Sequence, residues 1–179
     1  MAREPPLKLK LSKLASIAEI IGALAIVISL IYVGVQVNDS AVAVRSASAN
    51  DANVAAQNWY LVVGSDQQTS QVFYDGLTSQ EALPSHEEFQ FLMMFHGIFL
   101  AFQNSYLLAE EGTIGIELRE ALTRAILGVK DTPGMRRYWR QRKSYLHSAF
   151  AEYVDQLLAE ETNASMDLYR NSEDEPNRE

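Results

Sequence analysis

The 179-residue chain contains no cysteine. That excludes disulfides, thiolate metal sites and thiol nucleophiles. It has three histidines, His86, His96 and His147, and no two of them stand three or four residues apart. Neither H-E-x-x-H nor E-x-x-H occurs, so the helical spacing that aims imidazoles at one metal ion is missing. G-x-S-x-G, a Walker A loop and G-x-G-x-x-G are also absent, which removes the usual hydrolase, NTPase and dinucleotide readings. No catalytic residue, metal ligand or cofactor is assigned, and the chain is not read as an enzyme. Positive charge is in deficit, with 15 Lys and Arg against 23 Asp and Glu for a net charge of −8. Residues 1–38 carry four basic and two acidic side chains, so the remainder stands at −10. A domain of that sign disfavours nucleic acid and has no general affinity for anionic lipid.

What the chain does have is one long apolar run, Ile17–Val37, with a single charge, Glu19, in 21 residues. At about 1.5 Å per residue it matches the roughly 30 Å hydrocarbon core of a bilayer. Twelve of its positions are Ile, Leu or Val. Together they favour insertion by about 5 kcal/mol, more than a carboxylate near one end costs. A core helix of a soluble protein rarely needs the 16 consecutive uncharged residues of Ile20–Val35. A cleaved signal peptide would have a shorter apolar region and a nearby small-residue site, whereas Ala47-Ser48-Ala49 lies well beyond the run. A transmembrane helix over residues 15–37 is expected. Arg3, Lys8, Lys10 and Lys13 precede it and only Arg45 follows closely, which places residues 1–14 as a cytoplasmic tail and the domain outside.

Ala15, Ala18, Gly22, Ala25 and Ser29 recur at spacings of 3, 4, 3 and 4, forming one narrow stripe of small residues. In lipid, close backbone approach rather than hydrophobicity drives helix association. Ala18, Gly22, Ala25 and Ser29 are therefore the candidate packing face of a homo-oligomer. Glu19 flanks this stripe as an intramembrane carboxylate, read either as a functional group or as a first-turn interfacial charge.

Beyond the anchor the reading is all-α. From Val35 to Val63 there is no Gly or Pro, so residues 38–63 form a helical stalk, continuous with the anchor or freshly capped at Asn38-Asp39-Ser40. Its end, Trp59 to Val62, is expected to enter the core. A bundle-like domain of about five or six helices over residues 64–162 follows. Ser65-Asp66 caps a short helix through Tyr74 closed by Gly76. Thr78 with Glu81 and Ser85 with Glu88 fit capping boxes. His86–Glu111, ended by Gly112, is apolar most of the way round and should be central. Helices over Ile116–Leu127, ending at Gly128, from Thr132-Pro133 to about Lys143, and over Ser148–Glu161 complete the domain. Residues 163–179 read as a disordered acidic tail.

AEIIGALAIVISLIYVGVQV, FQNSYLLAEEG, PGMRRYWRQR and FAEYVDQLL together resemble a widespread family of uncharacterised bacterial single-pass membrane proteins. The similarity spans about residues 14–158. It implies an N-terminal transmembrane helix, a C-terminal helical domain of unknown function and a place in the bacterial inner membrane, and it carries no functional residue.

One segment opposes the global charge. Arg136, Arg137, Arg140, Arg142 and Lys143 surround Tyr138 and Trp139. Pairing with neighbouring acidic helices, lipid headgroup contact and partner contact are the readings. His96 is expected as a satisfied core histidine. Glu87-Glu88 and Glu110-Glu111 diverge by roughly 100° on their helices and are read as solvated capping charges. The resulting expectation is a self-associating membrane interaction or scaffold protein. The alternative is a sensor holding a small apolar ligand among Phe91, Phe95, Phe99, Phe102 and Trp139, which requires a cavity of several hundred Å³ on the order of known ligand sites.

Overall fold

A computed structural model of the chain describes residues 7–161, with side chains from Lys13 onward. Among these residues there are six α-helices, one short 3-10 turn and no strand. The expected tail at 163–179 lies outside the described residues. The chain divides after Val44 into two compact units.

Helix α1, Leu7–Gly64, is a single helix of 58 residues and passes through both units. It begins inside the segment expected as a cytoplasmic tail. It does not re-cap at Asn38, because nothing between Val35 and Val63 breaks the hydrogen-bond ladder. In the first unit every described residue is exposed.

In the second unit, Asp66 caps α2 (Gln67–Thr78), accepting from the Thr69 amide at 2.7 Å and hydroxyl at 2.8 Å. Gly76 does not close this helix. It lies within α2 and is buried, because the Phe91 ring occupies the place a β-carbon would take. Thr78 turns back to the Tyr74 carbonyl at 2.9 Å and caps nothing. Helix α3 (Ser85–Glu110) starts without a side-chain cap, so the Ser85–Glu88 box is not formed. Glu88 instead accepts from the Leu83 amide at 3.0 Å and from Arg137 at 3.3 Å. The exit of α3 follows expectation. Gly112 has φ +70°, and the Thr113 amide donates to Leu108 O at 2.8 Å, the left-handed closure that favours glycine.

Helix α4 (Ile116–Val129) runs past Gly128. Thr132 caps α5 (Pro133–Arg142), its hydroxyl accepting from the Met135 amide at 3.2 Å. The 3-10 turn Lys143–Tyr145 leads to α6, Ser148–Ala159, which stops short of the expected Glu161.

The core forms around α3. Phe91 and Phe99 are fully buried and Phe95 nearly so. The Tyr138 ring from α5 lies 4.7 Å from both Phe95 and Phe99. Each such buried ring contributes about 1.5–3 kcal/mol by leaving water. The stalk part of α1 contributes small residues, with Ala52 and Ala56 buried. The Trp59 indole donates to Met94 O at 2.7 Å. Tyr60, Leu61 and Val62 stay exposed, so only part of the aromatic end enters the core.

Candidate functional site

Two helices are long and apolar enough to cross a membrane, α1 near the N-terminus and α3. Their surroundings differ. The apolar window of α1 has no buried residue, whereas α3 places Phe91, Phe95, Phe99 and Phe102 inside the second unit. Ala18, Gly22, Ala25 and Ser29 are all exposed, as is Glu19. A β-carbon built on Gly22 meets nothing within 4 Å. The Ser29 hydroxyl donates to Ala25 O at 2.8 Å. That bond satisfies the serine within its own helix and suits it to an apolar setting.

The basic segment is taken apart by the fold. Arg137 is buried and donates to Gly76 O and Ser79 O, both at 2.6 Å, besides its bond to Glu88. It joins α2, α3 and α5 and is unavailable to any partner. Glu88 is therefore not the solvated charge expected of it, since its side chain is 12% exposed. Lys143 pairs with Asp155, which also accepts from the Trp139 indole at 2.9 Å. These donors hold the Asp155 carboxyl below its usual pKa of 3.8, the Lys143 bond most of all. Arg142 stacks on the exposed Tyr145 ring at 5.4 Å. Arg136 donates to Asp131 O at 2.8 Å and remains exposed, as does Arg140. Of five basic residues adjacent in sequence, only Arg136, Arg140 and Arg142 keep a free or partly free head.

The aromatic cluster is filled. The cleft among Trp59, Phe73, Phe95, Phe99 and Phe102 measures about 30 Å³, space for about one or two waters. His96 Nδ1 lies 2.9 Å from the Tyr138 hydroxyl. Burial, then the nearby Arg142 charge, lowers the imidazole pKa. Burial raises that of the Tyr138 phenol. His86 is a surface residue and His147 stands at the N-cap of α6. No group of three His, Cys, Asp or Glu side chains that could hold a metal ion occurs among the described residues.

One arrangement had no signal in the sequence. The Arg119 guanidinium lies over the rings of Tyr106 and Tyr153, at 5.6 and 5.1 Å, and pairs with Glu110 at 3.1 Å. Glu110, at the last position of α3 and exposed, is thus also a partner for α4. The four residues come from three helices, α3, α4 and α6, and no periodicity in one helix could reveal their meeting.

No protein-family model, curated protein or solved structure matches the chain.

Proposed function

We propose that this is a single-pass, membrane-anchored interaction or scaffold protein that self-associates through α1. The observation that carries the reading is the contrast between its two apolar helices. The aromatics of α3 are consumed by its own core, while Ile17–Val37 is left without any covering surface. In water, twelve exposed aliphatic side chains would each lack the 1.5–3 kcal/mol, roughly, that burial supplies. A bilayer provides that burial. The four basic residues ahead of the apolar run support an N-terminus in the cytoplasm and a domain outside it. The resemblance to bacterial single-pass proteins supports the inner membrane, with a periplasmic domain.

Self-association is supported by the open stripe of Ala18, Gly22, Ala25 and Ser29, where backbones can approach closely. A sensor of apolar ligands is less favoured, because the aromatic cleft is nearly closed. The chain is expected in the membrane pellet after carbonate washing, and release into the wash would end the anchoring proposal. In a transmembrane association assay, Gly22→Ile should cut the signal several-fold, and an unchanged signal would remove the stripe. A C-terminal reporter active only outside the cytoplasm checks the side.

A further inference from the structure

Two grooves of opposite charge open on the helical domain. The first, about 470 Å³, is lined by Asp66, Asp75 and Glu87 with Gln67, Gln68 and Gln71. Its carboxylates meet Thr69, Gln71 and His86, and no Lys or Arg pairs with them among the described residues. The second, about 410 Å³, has an apolar floor of Met135, Trp139 and Leu158 beneath Lys130, Arg136 and Arg140. Asp131 is the one carboxylate in its lining, 3.3 Å from Lys130. Arg140 is exposed.

Both grooves lie toward the same end of the domain. Arg45, Ser46 and Ala49 of α1 share a cleft with Gly112–Gly115, whereas Trp59 reaches Met94. Helix α3 therefore runs antiparallel to this part of α1, and Asp66 and Glu87 stand at the end away from Arg45. The Arg137–Glu88 pair ties α5 to that end, and Gly134 is pressed against Gly76 and Leu77.

We propose that the domains of neighbouring copies dock side by side, the acidic groove of one receiving the basic groove of the next. This rests on the membrane reading above. The two grooves share an end of the domain and no lining residue, so a side-by-side contact can bring the acidic groove of one copy to the basic groove of another. The grooves share no residue, which makes the contact heterologous. Each pair keeps one open groove of each sign, and the contact propagates to a chain or a closed ring rather than stopping at two. Like grooves repel, which fixes the polarity. Each surface is small, and confinement to the membrane raises the effective concentration enough for weak contacts to count. A negatively charged lipid surface fits less well, because the domain as a whole is strongly acidic.

The absence of native cysteine makes the test clean. Full-length Gln68→Cys, in the acidic groove, and Asp131→Cys, in the basic one, are mixed in one population of zwitterionic liposomes and oxidised; both positions are exposed. The unlike disulfide should exceed either like disulfide by about tenfold at low salt. It should collapse in about 1 M salt, where screening reaches roughly 3 Å. Arg136→Glu/Arg140→Glu in the Asp131→Cys protein should abolish it, and Asp75→Lys/Glu87→Lys in the Gln68→Cys partner should restore it. Equal like and unlike yields, or yields indifferent to salt and charge reversal, would overturn the proposal. So would a label on the Asp131→Cys protein that responds to anionic lipid and not to the partner. Liposome sedimentation of the same samples reports membrane insertion separately, so loss of the pattern with full sedimentation indicts the grooves and not the anchor.

Discussion

Arg137 and Arg140 stand three residues apart on one helix and meet opposite fates. Arg137 is enclosed with three acceptors, while Arg140 is in solvent. Removing the first leaves Glu88 and two carbonyls without their donor. Arg137→Met should destabilise the domain by about 3–5 kcal/mol, against less than about 0.5 kcal/mol for Arg140→Ala. Urea unfolding followed by tryptophan fluorescence checks both. Two glycines offer a similar contrast. A β-carbon on Gly134 would collide with the backbone of Gly76 and Leu77, whereas on Gly97 it meets only Trp59, at 3.9 Å. Gly134→Ala should cost about 1–3 kcal/mol, and Gly97→Ala should gain about 0.5–1 kcal/mol from helix propensity. His96 adds a pH dependence. Its pKa is lowered from 6.5 in the folded domain, by burial first and Arg142 second. The folded state therefore binds this proton less readily than the unfolded chain. Its contribution is intact above the unfolded value, and stability falls as pH drops from there toward the folded value. Denaturation midpoints between about pH 7 and pH 5 should fall less steeply in His96→Gln than in the parent.

Among the helices, the starts governed by a local side chain were legible and those governed by a neighbour were not. Asp66 and Thr132 cap as their chemistry predicts. Thr132→Ala should cost about 1 kcal/mol, measured by denaturation. Gly76 and Gly128 read as stops because glycine ends helices in isolation. Both are instead held inside helices and buried; Gly76 is there because an aromatic ring needs its missing side chain. Ser85 and Glu88 have the spacing of a capping box, and Arg137 from a helix 49 positions away takes the glutamate. A capping rule sees four residues, and the competing partner lies outside its window. The centrality of α3 was readable, since a helix apolar on every side must be surrounded.

The whole molecule depends on what covers Ile17–Val37. Ile26→Lys together with Leu30→Lys adds about 5–7 kcal/mol at the middle of the span, enough to cancel the roughly 5 kcal/mol favouring insertion. The doubly substituted chain should shift from the membrane to the soluble or aggregated fraction on sedimentation, while the helical domain keeps its far-UV signature. The sequence by itself determined the all-α class, the long apolar helix and its small-residue stripe, because each is a periodic property of one contiguous segment. Tertiary structure alone decided which arginines remain available, which carboxylates they pair with and that the aromatic cluster leaves no chamber. Those outcomes depend on side chains from different helices arriving at one point, and no spacing along a single segment encodes that meeting.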